Sequence, residues 1–144
     1  MANLHNRKPH ERQSLIVGQA QKKLKDVDHE HGLVFSFKHL DRNQGQSFED
    51  WEANGLLSDM LNTFMGFCQR DNHLQCRGKS FTVYGAFPSK SEFTHPPHVP
   101  EDAQWARIHI KGKPCIGGHV FRNIFYVVFL DRYHQFWKTD LQEH

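Results

Sequence analysis

The stretch Gln104–Trp137 decides the fold, and it opens with Gln104–Lys111, which reads Q-W-A-R-I-H-I-K. Apolar and polar side chains alternate strictly here, as is typical of a β-strand with one buried face. The alternation places Ala106, Ile108 and Ile110 on the core side. The opposite face carries Trp105, Arg107, His109 and Lys111. The sequence therefore predicts a strand whose polar face presents an aromatic ring and a row of cation-capable groups.

Other segments of the chain also have the composition of strands. The predicted strands are Leu33–Leu40, Ser80–Phe87, Gln104–Lys111, Ile116–Phe121, Ile124–Leu130 and a short one at Gln135–Lys138. Short turns at 111–114 and 122–123 join the later strands, which predicts an antiparallel meander. Four prolines make 88–103 a long irregular loop, of the kind that is often functional or disordered.

The clearest helix begins after Ser47, which together with Asp50 resembles a capping box. Apolar residues then recur at three- and four-residue steps: Trp51, Leu56, Leu57, Met60, Leu61, Phe64, Met65 and Cys68. This spacing predicts an amphipathic helix that packs on the sheet. Gly55 marks a break near its first turn, because glycine is unfavourable inside a helix.

These elements predict an α+β domain: a mostly antiparallel sheet of about five strands with one long amphipathic helix on one face. We expect Leu57, Met60 and Phe64 to contact the apolar face of the strand Gln104–Lys111. Residues 26–144 form the predicted domain, and residues 1–25 form a basic N-terminal arm or a marginal helix capped by Ser14.

The composition is that of one water-exposed domain without a membrane partner. The 144 residues are 38% hydrophobic and 24% charged, the mean hydropathy is -0.71, and no apolar run approaches the length of a spanning helix. The N-terminus lacks the apolar region of a secretory signal. Three cysteines without close pairing (Cys68, Cys76 and Cys115) favour a reducing, cytoplasmic location.

The polar face of the strand is the first candidate for chemistry, together with His119 and the segment Asp131–His134. Metal-free RNA cleavage needs a base, an acid and cations that hold the phosphate, which histidine, arginine and lysine supply. We expect His109 to lie within reach of His119 or His134. The candidate catalytic residues are Arg107, His109, Lys111 and His134, and the candidate substrate-binding residues are Trp105, His119, Arg132 and Tyr133. The alternative is an ordinary solvated sheet face.

Other constellations are less specific. The histidines within His29–His31 and His95–His98 lack the spacing of established zinc sites, so we predict no metal and no cofactor. Cys115 and His119 could form a catalytic dyad, but nothing in the sequence places their two side chains together. Gly117-Gly118 lacks the phosphate-loop pattern, and a β-bulge or tight turn explains the pair better.

The order of elements over residues 33–138 resembles that of RelE-type bacterial toxins, which cleave messenger RNA on the ribosome. This resemblance implies helices on an antiparallel sheet and metal-free chemistry by side chains on the sheet and near the chain's end. The positions to consider are Arg107, His109, Lys111, Tyr133 and His134. The chain departs from the family in its greater length, its weaker basic character and its proline-rich loop.

The sequence therefore predicts a small bacterial protein that binds or cleaves RNA. Its most specific form is a metal-independent endoribonuclease of a toxin–antitoxin or phage-defence system, with RNA and an antitoxin as partners. The alternative is a non-catalytic binding or interaction module, such as a homodimeric phage- or plasmid-type accessory protein. A metal-dependent hydrolase is the third class.

Overall fold

A computed structural model describes residues 31–138, and within this range a five-stranded sheet packs with two α-helices. The elements are β1 (Val34–Ser36), α1 (Phe48–Ala53), α2 (Leu57–Cys68), a 3₁₀ helix (His73–Cys76), β2 (Phe81–Gly85), β3 (Gln104–His109), β4 (Cys115–Phe121) and β5 (Ile124–Asp131). The predicted arm or marginal helix in residues 1–25 lies outside the described residues. Within 31–138, no helix combines the length and apolar character needed to cross a membrane.

The strand order across the sheet is β1-β5-β4-β3-β2. β2, β3, β4 and β5 pair antiparallel to one another in turn, which confirms the α+β class and the predicted meander of β3, β4 and β5. β1 pairs parallel with β5, so the sheet is mixed. Apolar alternation assigns residues to faces but carries no information on the direction of pairing, which is why the parallel edge was not predicted.

The single long helix predicted after Ser47 is instead two helices. The Ser47 hydroxyl accepts the Asp50 N–H at 3.1 Å and caps α1, as the sequence indicated. Gly55 then adopts φ +71°, a left-handed conformation that ends α1 and lets the Leu56 N–H donate to the Trp51 carbonyl at 2.8 Å. The break predicted at Gly55 is therefore a complete turn between helices.

One face of the sheet is covered by the helices. Ala106 and Ile108 are completely buried there, in the same apolar cluster as Met60 and Phe64 of α2. Leu57 and Ile110 are partly buried against it, and the Phe35 and Phe64 rings stack at 3.8 Å. The predicted packing of α2 on the apolar side of β3 is confirmed.

The opposite face, here called the loop-covered face, carries a second apolar core. Residues of the proline-rich loop and of the segment after β5 lie over it; the buried members are Phe93, Val99, Trp105, Val128, Phe129 and Phe136. Gln44 tethers the loop, because its side-chain amide exchanges hydrogen bonds with the Thr94 backbone at 2.8 and 2.9 Å. On the polar face expected for β3, Trp105 is thus enclosed, whereas Arg107 and His109 are partly buried. The expected strand at Gln135–Lys138 is part of this irregular cover.

The glycine pair in β4 is a β-bulge. The β4–β5 register shifts between Gly117 and Gly118. A Cβ atom on Gly118 would lie 2.1 Å from the Tyr126 carbonyl oxygen, and one on Gly117 would lie 2.9 Å from the Phe136 ring. Close backbone approach and close ring packing therefore require glycine here, which confirms the bulge interpretation.

Candidate functional site

The strand register gathers polar side chains at one end of the loop-covered face. Thr82 of β2 lies opposite Arg107, and Cys115 of β4 lies opposite His109. Asp131 of β5 lies opposite Cys115. Because partners in register share a face, the sheet aligns these groups beside the cationic residues of β3.

His134 completes this group from the turn that follows β5. Nη1 of Arg107 lies 3.4 Å from Nε2 of His134, and Nη2 of Arg107 donates to the Thr82 hydroxyl at 3.5 Å. The rings of His109 and His134 lie 5.1 Å apart between centroids and are inclined by 28°. One guanidinium and two imidazoles are therefore held side by side, and His109 is within reach of His134.

A buried carboxylate fixes the turn that carries His134. Asp131 is completely buried, and its two oxygens accept the backbone N–H groups of Gln135 at 2.8 Å and Phe136 at 2.7 Å. The Cys115 thiol donates to the same carboxylate at 3.4 Å. His134 itself adopts φ +58°, a conformation that side chains rarely take unless the surroundings impose it. The turn thus holds His134 in a strained position beside Arg107.

Tyr84 belongs to the same site, although the sequence reading did not select it. Its ring lies 5.6 Å from the guanidinium carbon of Arg107 and stacks on Trp137 at 3.8 Å, with the planes 8° apart. Burial, the largest influence, raises the pKa of Tyr84 to about 12, so the phenol is neutral. The signal was present in the alternation of β2, which places Tyr84 and Thr82 opposite the core-facing Val83. We call Tyr84, Arg107, His109 and His134 the Arg107 cluster.

The Arg107 cluster carries the positive charge of the Arg107 guanidinium, and its hydrogen bonding within residues 31–138 is incomplete. Burial and then the charge of Arg107 lower the pKa of His109; burial also lowers that of His134, with Arg107 contributing. The hydroxyl of Tyr84, Nε of Arg107 and Nδ1 of His109 are buried and have no hydrogen-bond partner among the described residues 31–138. Unpartnered buried polar atoms are costly, so this grouping is suited to a ligand that supplies acceptors and negative charge.

The other predicted site residues lie at different places. Lys111 is exposed just beyond the end of β3. Arg132 pairs with Asp50 of α1 at 3.2 Å and donates to the hydroxyl of Tyr133, whose side chain is 47% exposed. Trp105 is completely buried in the second core, so the prediction that it offers an exposed stacking surface is wrong.

His119 lies opposite Trp105, at the other end of the loop-covered face from the Arg107 cluster. Its Nε2 lies 2.9 Å from Nδ1 of His39, and both rings stack with Tyr126. Burial lowers the pKa of His119 to about 4, with His39 contributing next. His119 is therefore a neutral member of a separate aromatic group, and the structure does not join it to His109 as the sequence reading proposed.

Within residues 31–138, no group of three or more His, Cys, Asp or Glu side chains is arranged to hold a metal ion. Comparison with protein-family models, curated proteins and solved structures found no match.

Proposed function

We propose that this protein binds RNA through the Arg107 cluster and cleaves it without a metal ion. One observation carries the proposal: two imidazoles and a guanidinium lie together with buried polar atoms that have no hydrogen-bond partner within residues 31–138. A phosphodiester supplies the missing acceptors and the negative charge. Arginine binds such groups through a fork of N–H donors, and histidine transfers protons near neutral pH.

The reaction that fits this geometry is transfer of the phosphodiester to the neighbouring 2′-hydroxyl. One neutral imidazole takes the 2′-hydroxyl proton as that oxygen attacks phosphorus, while the other imidazole, protonated, gives a proton to the departing 5′-oxygen. The products are a 2′,3′-cyclic phosphate and a free 5′-hydroxyl. Arg107 stabilises the negative charge that develops on the phosphate oxygens. We assign these two roles to His109 and His134 as a pair.

Substrate binding also explains how one imidazole of this pair becomes protonated, as an acid must be. In the free protein, burial and Arg107 keep both imidazoles neutral, which suits a base but not an acid. The negative charge of the phosphodiester favours the protonated form of an adjacent imidazole. Substrate binding therefore takes up the proton that the leaving oxygen later receives.

Exposed residues beside the Arg107 cluster are the proposed contacts for the rest of the RNA. Lys111 extends from the end of β3 and contacts the phosphate backbone in this proposal. Tyr133 is half exposed next to His134, so it is a better stacking surface for an unpaired base than the buried Trp105. Arg132 holds the Tyr133 ring from one side, with its guanidinium carbon 4.6 Å from the ring centre.

The test is cleavage of labelled single-stranded RNA by the purified full chain in the presence of EDTA. We expect His109→Ala, His134→Ala and Arg107→Ala each to slow cleavage by about 100-fold or more. His31→Ala is the matched control, because His31 is an exposed histidine outside the cluster. Cleavage that survives all three substitutions, or that EDTA abolishes, contradicts the proposal.

The biological setting we propose is that of a bacterial toxin acting on RNA in the cytoplasm and neutralised by an antitoxin. The three free cysteines within the described residues support a reducing compartment. Induced expression of the wild-type chain is expected to arrest growth, whereas the His109→Ala variant is expected to be tolerated. Growth arrest by both the wild-type chain and His109→Ala, at equal protein levels, would show that toxicity does not depend on the proposed chemistry.

A second candidate function, a non-catalytic interaction module, is favoured by an apolar patch on α2. Leu61 and Met65 lie one helical turn apart and are 52% and 53% exposed. If this patch joins two copies of the chain, Leu61→Lys with Met65→Lys lowers the molar mass measured by light scattering from that of a dimer to that of a monomer. A monomeric wild-type protein excludes the homodimer.

A further inference from the structure

A cavity of about 300 Å³ lies at the end of the loop-covered face opposite the Arg107 cluster. Its walls include His39, His119 and Tyr126, and loop residues Pro100 and Ala103 close one side. This volume is at the lower end of the range typical of small-molecule sites. The cavity is thus large enough for a single aromatic ring system and too small for an extended ligand.

The walls of this cavity are planar and aromatic. The rings of His39, His119 and Tyr126 lie 4.5 to 5.1 Å apart between centroids, and their planes are within 18° of one another. Nearly parallel rings at these separations stack on one another, and the outer face of such a stack favours a planar ligand that packs face to face with it. Phe121, 59% exposed, adds a further ring at the rim.

Two polar side chains stand at the rim of the cavity. Asp102 and Gln104 are both exposed there. A carboxylate accepts hydrogen bonds from exocyclic amino groups, and an amide both donates and accepts on the edge of a heterocycle. An aromatic interior with hydrogen-bonding groups at its edge matches the surface of a nucleobase.

We infer that this cavity binds a nucleobase of the RNA, with the base stacked between the aromatic wall and Phe121 and its edge facing Asp102 and Gln104. The inference rests on the proposed function, because it assigns a second contact for the same ligand. Strand geometry places the Cα atoms of His119 and Tyr126 roughly 8 and 12 Å from that of Arg107. A short oligonucleotide is longer than this distance, so one RNA strand reaches both sites by passing around the residues that cover Trp105.

Other ligands fit the cavity less well. A phosphate finds no cation among the two wall histidines, since burial keeps the pKa of both below the ordinary value, and it is repelled by Asp102 at the rim. A divalent metal ion finds no suitable group of ligands within residues 31–138. An organic cation, held by the aromatic rings and Asp102, is the remaining competitor and is included in the test.

The test is titration of ¹⁵N-labelled full-length protein with adenosine, cytidine, guanosine and uridine, which carry a base but no phosphate. We expect saturable changes in the amide signals of Gln104, His119 and Tyr126 with at least one nucleoside. Phe121→Ala should weaken this binding at least about fivefold, the lower limit for the loss of one base–aromatic stack. Leu74→Ala, a truncation of an exposed side chain in the 3₁₀ helix, is the matched control and should leave it unchanged.

The outcomes separate this inference from the proposed function. Nucleoside binding that persists in Arg107→Ala, together with RNA cleavage lost in that variant, supports both. RNA cleavage without binding of any nucleoside overturns the nucleobase site alone, and so does binding that Phe121→Ala does not change. Tighter binding of tetramethylammonium than of every nucleoside also overturns it, in favour of a cation site.

Discussion

Replacing Asp131 by alanine is expected to damage both the stability of the fold and the placement of His134. Its buried carboxylate accepts the N–H groups of Gln135 and Phe136 at 2.8 and 2.7 Å. Hydrogen bonds to a charged group contribute about 1.5–3 kcal/mol each. Because Asp131→Ala removes both acceptors, it should lower the free energy of unfolding by about 3–5 kcal/mol. That is a large part of the total stability of a small domain.

The assay is urea unfolding followed by tryptophan fluorescence, with Asp71→Ala as the matched control. Asp71 is an exposed aspartate in the loop after α2, so its loss should cost less than about 0.5 kcal/mol. RNA cleavage is measured in parallel, below the unfolding transition. Since the carboxylate holds the turn that carries His134, folded Asp131→Ala should cleave about as poorly as His134→Ala. An unfolding free energy within about 1 kcal/mol of wild type, or full cleavage by the folded variant, would refute this reasoning.

Three further predictions follow from the backbone and from the buried histidines. Gly118→Ala should destabilise the fold by about 3 kcal/mol in urea unfolding, because its Cβ meets a β5 carbonyl at 2.1 Å. Gly66→Ala, in α2, brings its added Cβ within 4 Å of no described residue and should instead add about 0.5–1 kcal/mol. In the folded protein the pKa of His119 is about 4, below the ordinary 6.5. Between these two values the unfolded state therefore binds more protons than the folded state. The stability that comes from keeping His119 neutral is therefore complete above pH 6.5 and is lost as the pH falls toward 4. The free energy of unfolding should drop by about 2 kcal/mol over that pH range, and by less in His119→Gln. His134→Gly should relieve the backbone strain at φ +58° and change stability by no more than about 1 kcal/mol while abolishing cleavage. Arg122→Gly makes the same backbone change at φ +56° in the β4–β5 turn and should preserve cleavage, so a loss in both variants would argue against the assigned role.

The sequence was sufficient to predict the packing on the helix-covered face of the sheet. Strict alternation in β3 and the three- and four-residue spacing in α2 both report which side chains avoid water, so Ala106, Ile108, Met60 and Phe64 were placed correctly. Gly55 and the Gly117-Gly118 pair were likewise interpretable, because glycine marks positions where a side chain is strained or does not fit.

The packing on the loop-covered face could not be predicted from such patterns. Phe93, Val99 and Phe136 cover Trp105 from irregular segments, where apolar residues follow no period that could be recognised. Trp105 shares its face of the strand with Arg107 and His109, which made it look exposed, although a second core buries it. Loops packed by their own side chains leave no helical or strand pattern in the sequence.

The site was predictable in composition and only partly in geometry. Arg107 and His109 share a face because alternation demands it, whereas His134 reaches them through a turn fixed by Asp131. His119 shares that face too, but the β3–β4 register sets it opposite Trp105 and away from His109. Register across strands is a long-range property, and short-range spacing does not determine it.

The most direct test of the proposed site is the pKa of His109 and His134, measured by NMR with and without a 2′-O-methyl oligonucleotide, which binds but cannot be cleaved. In the free protein both values should lie below the ordinary 6.5. A phosphodiester between Arg107 and the two imidazoles should raise both by about 1 or more, and Arg107→Ala should reduce the rise. Both pKa values unchanged by saturating oligonucleotide would contradict the claim that the Arg107 cluster binds the RNA phosphate.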